Sequence, residues 1–113
     1  MTIPEGMLTC RLSIHSIEAD GSGRQGFVIF TPNETLASAD NDAFIGGATT
    51  VQLGAGGSGF VTLIACDDPT VTPVDWKYYV MEYFDGVFNR SYIIQPLSTD
   101  DGKDLSDLEF LSL

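Results

Sequence analysis

His15 is the only histidine of the chain, so any Ser-His-Asp nucleophile would have to be built around it. It stands at the end of an alternating apolar segment. No Gly-x-Ser-x-Gly turn, the sharp elbow that exposes a nucleophilic serine, occurs in the 113 residues. The expectation is a surface or structural histidine. The carboxylates fall in groups: Asp40 with Asp42, Asp67 with Asp68, and Asp100, Asp101 and Asp104 with Asp107. Paired carboxylates can move protons or hold calcium through their hard oxygens. None of these groups has the calcium-loop spacing that ends in a bidentate Glu. Asp-Asp-Pro after a strand is accounted for by the bonds Asp makes to turn backbone. No catalytic residue, metal or cofactor is assigned, and the chain reads as a non-enzyme.

Three further features could carry chemistry. Gly54-Ala55-Gly56-Gly57-Ser58-Gly59 fits the glycine spacing of a dinucleotide-binding turn. That spacing works between a strand and a helix whose N-terminus holds the pyrophosphate. Here Phe60-Val61-Thr62-Leu63-Ile64 follows, which is a strand, so a flexible turn is expected. Cys10 and Cys66 match no metal-site spacing and are expected as two separate thiols packed as small apolar groups. Trp76, Tyr79 and Tyr83 lie on one aromatic strand and could stack on sugar rings. A carbohydrate-binding module with a host glycan as ligand is therefore the rival reading. Core and interface packing use aromatics in the same way.

The elements that would position these residues are strands. Apolar residues make up 43% and charged residues 19%, enough to fold one domain, and twelve Gly and five Pro punctuate the chain. Met7 to Ile17 alternates, with Leu8, Cys10, Leu12 and Ile14 opposite Thr9, Arg11 and Ser13. Further strands are read at 26–30, 49–53, 60–66, 76–84 and 89–95, with Asp85-Gly86 as a hairpin turn. Residues 34–47 read as a long loop with one short helical or irregular piece. Residues 104–113 read as a short strand or docking arm. The expected fold is all-β: a single antiparallel β-sandwich of about seven strands spanning 1–113, with short arms 1–6 and 109–113. The formal net charge of −11 repels phosphate backbones, which argues against nucleic acid as a partner. No apolar run reaches membrane-spanning length, and the N-terminus does not read as a signal peptide. Folding in a cytoplasm is the expectation.

Two strands are apolar on both faces. Val28 and Phe30 oppose Phe27 and Ile29, and Val61 and Leu63 oppose Phe60 and Ile64. A sheet with one solvated face alternates apolar with polar, so a second apolar face implies contact with another chain. Such a face points to an assembly component.

The segments Gly26–Pro32, Val61–Pro69, Pro73–Glu82, Arg90–Ile94 and Asp104–Leu108 together resemble a small β domain of minor tail and other virion proteins of actinobacterial phages. The resemblance spans roughly Leu8 to Leu108. It implies a prealbumin- or immunoglobulin-like sandwich whose strands carry Thr or Ser at outward positions. Here those positions are Phe27, Ile29, Phe60, Ile64, Tyr79, Met81, Tyr83 and Ile93. The inward positions are Val28, Phe30, Val61, Leu63, Tyr78, Val80, Tyr92 and Ile94. In that family the domain often begins a longer tail protein. This chain ends soon after the last match, which suggests a stand-alone subunit.

The resemblance and the apolar face together imply a virion structural protein assembled in the host cytoplasm, foremost a minor tail or tail-tip component. A capsid decoration protein of the same fold is the alternative. Its partners would be other virion proteins and copies of itself. The expected interface is the outward set above together with Phe110, Leu111 and Leu113, the arm residues 109–113 being assigned to a neighbouring chain's sheet edge.

Overall fold

The structure, a computed structural model, describes Ile3 and residues 6–111. Apart from Ile3 and Gly6, the predicted arm 1–6 lies outside the described residues, as does Leu113. Eight strands follow in chain order: β1 (Thr9–His15), β2 (Gly26–Pro32), β3 (Leu36–Ser38), β4 (Ala43–Ile45), β5 (Thr49–Leu53), β6 (Ser58–Ile64), β7 (Tyr78–Phe84) and β8 (Val87–Ile94). Short 3-10 turns occupy Ala39–Asn41, Ser98–Asp100 and Leu105–Asp107. The fold is all-β, and every strand pair is antiparallel.

The strands form a four-stranded sheet of order β5-β2-β7-β8, a two-stranded sheet β1-β6 and the small hairpin β3-β4. Period-2 alternation sets the facing, because side chains change face at each residue. Val28, Phe30, Val51, Leu53, Tyr78, Val80, Tyr92 and Ile94 of the four-stranded sheet are buried. They share one core with Cys10, Leu12, Ile14, Val61 and Leu63 of β1 and β6. The inward positions read from sequence are thus all buried. Tyr78 ties the two sheets together, its hydroxyl donating to the Ile64 carbonyl at 2.8 Å. Cys10 and Cys66 are both buried and free, and burial is the main cause that pushes their thiols up, to about 11 and about 12.

Turn chemistry joins these strands. Asp85 and Gly86 both adopt positive φ, 52° and 79°, as the two central residues of a type I′ hairpin turn must. The glycine-rich run is the turn from β5 into β6. A Cβ on Gly57 would stand 2.0 Å from the Ser16 carbonyl oxygen, and its φ of +75° is itself unfavourable for other residues. Close approach of backbone to backbone thus requires glycine at position 57, and β6 follows the turn at once.

Two expectations are corrected. Residues 34–47 are not a long loop. They hold β3 and β4, with the 3-10 turn Ala39–Asn41 between them. Three-residue strands are too short to show alternation. The hairpin is fixed instead by long-range bonds: Ala37 and Thr72 exchange backbone hydrogen bonds at 2.8 Å, and Ser38 Oγ donates to Thr70 Oγ1 at 3.0 Å.

The second correction concerns the end of the chain. Of the segment 109–113 expected on a neighbour's edge, the described part, through Leu111, lies on the protein's own sheet edge. Leu111 N donates to the Ile93 carbonyl at 2.8 Å and Ile93 N to the Leu111 carbonyl at 3.3 Å. Phe110 stacks on Tyr92 with ring centroids 4.1 Å apart. The edge of β8 is the nearest unpaired ladder, and the Tyr92 ring supplies the supporting apolar surface.

Candidate docking surface

Cross-strand partners share a face, so the ladder register shows which outward side chains meet. On the outer face of the four-stranded sheet they form three rows. The first runs Gln52, Phe27, Tyr83, Phe88; the second Thr50, Ile29, Met81, Ser91; the third Thr31, Tyr79, Ile93, Leu111. Of the predicted interface residues, Phe27, Ile29, Tyr79, Met81, Tyr83, Ile93 and Leu111 are brought together here. The first row is an aromatic cluster: Phe27 stacks on Tyr83 at 4.9 Å, and Phe88 meets Tyr83 edge-on at 5.5 Å. Tyr79 and Phe88 are the most open of the large apolar members, 43% and 49% exposed. None of the three rows contains a charged residue.

The structure separates the other predicted residues from this face. Phe60 lies on β6, on the outer side of the two-stranded sheet. It is 58% exposed, with the Arg11 guanidinium 4.2 Å above its ring. Ile64 is partly buried and packs against the core beside Ile3 and Ile45, so it is covered by its own chain. Phe110 turns to the inner side, onto Tyr92. The docking face is thus one sheet, not the whole outward set. Period-2 reasoning finds which residues point outward but not which sheet a strand joins.

Phe88 was missed by the sequence reading. A bulge between Glu82 and Tyr83 shifts the β7-β8 register and places Phe88, not Asn89, opposite Tyr83. Trp76 is 0% exposed, so it offers no ring face to a sugar, and the predicted carbohydrate stack loses its largest member.

The inner face of the same sheet carries a polar cluster that sequence reasoning also missed. Glu82 is buried, as its parity with Tyr78, Val80 and Phe84 requires. Its carboxylate is fully engaged. Oε1 accepts from Arg90 Nε at 2.8 Å and from Asn89 Nδ2 at 3.0 Å, while Oε2 accepts from the Tyr92 hydroxyl at 2.5 Å. Burial alone would raise the Glu82 pKa. The three donors and the Arg90 charge outweigh it and hold the group below its ordinary value. Burial and the Glu82 bond push the Tyr92 hydroxyl far up, so it stays a donor.

This cluster lines a cleft of about 250 Å³ that also meets Arg24, His15, Asp104 and Phe110. Arg24 lies over the Phe84 ring at 4.0 Å, and its nearest acidic group is Glu18 at 3.6 Å. Asp104 is occupied by Ser106 N (3.0 Å), Ser106 Oγ (2.7 Å) and Ser13 Oγ (3.1 Å). Its hydrogen bonds go to Ser106 and Ser13, where a triad acid would hold the imidazole.

Of the acidic groups singled out from sequence, Asp67 with Asp68 and Asp100 with Asp101 hold loops. Asp68 accepts from Thr70 N and Leu8 N, both at 2.8 Å. Asp67 accepts from Ser98 N at 2.9 Å, Asp100 from Leu97 N at 2.9 Å and Asp101 from Arg11 N at 2.7 Å. Each satisfies a backbone donor that a loop would otherwise leave unpaired. Among the described residues no three His, Cys, Asp or Glu side chains gather as a metal-holding group, and no helix is long and apolar enough to cross a membrane.

No known protein family, no curated protein and no solved structure matches the chain.

Proposed function

We propose that this protein is a non-enzymatic structural subunit of a phage virion, a minor tail or tail-tip component, that docks through the outer face of the β5-β2-β7-β8 sheet. The observation that carries the docking half of this reading is the uncharged, largely apolar face around Phe27, Tyr83, Met81 and Tyr79. Solvated sheet faces alternate with polar residues, and contiguous apolar patches on soluble chains mark contacts. The virion half rests on the family resemblance of the strand segments. We read the two sheets as the halves of an immunoglobulin- or prealbumin-like sandwich. The shared core and the Tyr78–Ile64 link between the sheets support that reading. Both oxygens of the best-placed buried carboxylate, Glu82, are taken by structural donors, which favours a structural role for the cleft over a catalytic one.

The test is incorporation. Tyr83→Ser removes the centre of the aromatic row from a partly exposed position. It should keep the wild-type far-ultraviolet spectrum and be lost from purified particles. Wild-type levels of Tyr83→Ser in particles would overturn the reading.

A further inference from the structure

Resting on that docking face, we infer that its first partner is a second copy of this chain, bound face to face about a two-fold axis. The chain carries −11, and among the described residues every acidic side chain except the inward-facing Glu82 sits in a loop or turn, where backbone donors hold several of them. A basic partner would be drawn to those loops and not to the three sheet rows, which hold no charge for it to pair with. Two strongly acidic copies repel over about 8 Å at physiological ionic strength, so they can meet only where no carboxylate enters the contact. This face meets that condition.

The pattern is also self-complementary. A two-fold axis through the middle row sets Ile29 and Met81 against their own copies, with the adaptable methionine filling the centre. The aromatic row of one copy then lies over the row of Tyr79, Ile93 and Leu111 of the other. Gln52, Thr50 and Thr31 fall along the flank as an uncharged polar rim, the anatomy of a specific interface.

Sedimentation equilibrium of the full chain at 20 mM and 500 mM NaCl tests this. The wild type should be a dimer that tightens with salt, because salt screens the repulsion while the contact itself is apolar. Met81→Arg should weaken association on the order of a hundredfold or more by placing two like charges at the axis. Phe60→Arg, on the other sheet, should leave it unchanged. Circular dichroism should be the same for all three proteins. A wild type that is monomeric at both salt concentrations overturns the inference, as does a dimer indifferent to Met81→Arg. If such a monomer still loses particle incorporation through Tyr83→Ser, the docking reading stands and only self-association fails. Normal incorporation of Tyr83→Ser overturns the docking reading whatever the oligomeric state.

Discussion

Phe27 and Tyr83 stack across the β2-β7 ladder with ring centroids 4.9 Å apart and planes inclined by 17°. The pair is directly opposite in register and lies on the sheet face away from the core. Each ring fixes the other, so the pair presents a preorganised apolar surface. The sheet beneath is held by the core side chains of the opposite face. Substitution of Phe27 or Tyr83 should therefore separate docking from folding. Tyr83→Ala is expected to cost isolated-domain stability only about 0.5–1.5 kcal/mol for the lost aromatic pairing. Urea denaturation measures this.

Glu82 and Tyr92 make the opposite case, a buried pair whose loss should be felt in folding. Tyr92→Phe leaves one buried carboxylate oxygen without its donor, at a cost of about 1–3 kcal/mol. Glu82→Gln removes the charge paired with Arg90 and leaves a single acceptor oxygen for the Asn89, Arg90 and Tyr92 donors, and should cost a similar amount. Denaturant midpoints of the two variants and of the double variant check this. The double variant should lose less than the sum, because the two residues share one interaction.

Acid should destabilise the fold. The pKa values of Glu82, Asp68 and Asp104 all lie below their ordinary 4.5 and 3.8 in the folded chain. Burial opposes each shift, and hydrogen-bond donors outweigh it. A lowered folded pKa means the unfolded chain binds protons first. The stability these groups contribute is complete above the ordinary carboxylate range and is lost as pH falls through it and below. Melting temperatures between pH 7 and pH 3 should fall below about pH 5. The decline should be shallower in Glu82→Gln, which has one fewer such carboxylate.

The C-terminal strap should contribute to the isolated domain. Phe110 is only 37% exposed against Tyr92, and Leu111 closes two hydrogen bonds with Ile93. Deleting residues 109–113 should keep the fold and lower its stability by about 1–3 kcal/mol, the scale of one buried aromatic side chain. An unchanged melting temperature would show that the strap does not hold the domain.

How far the sequence carried these conclusions depends on the length of the pattern each residue belongs to. Val28, Phe30, Val80 and Ile94 sit in strands long enough for parity to set their facing, and all are buried. Glu82 obeyed the same parity, yet its charge hid it inside an aromatic run. Its alignment with Tyr78 and Val80 was the available signal. Leu36 and Ile45 belong to three-residue strands that carry no period, so only the finished fold pairs them. Phe88 was displaced by a bulge that local sequence does not mark. Phe60 points outward as read, but its sheet is set by long-range pairing with β1, and Ile64 on the same strand is covered by chain segments distant in sequence. The site was therefore legible as a set of outward residues and illegible as a surface.

The most direct measurement of the central claim is the accessibility of Tyr79, Met81 and Tyr83 in the assembled particle, read by hydroxyl-radical footprinting against the same residues in the isolated chain at concentrations low enough to keep it monomeric. Assembly should strongly protect these three side chains, while Phe44, exposed on the β3-β4 hairpin, should remain reactive. Side chains at Tyr79, Met81 and Tyr83 that react in the particle as they do in the isolated chain would contradict the claim.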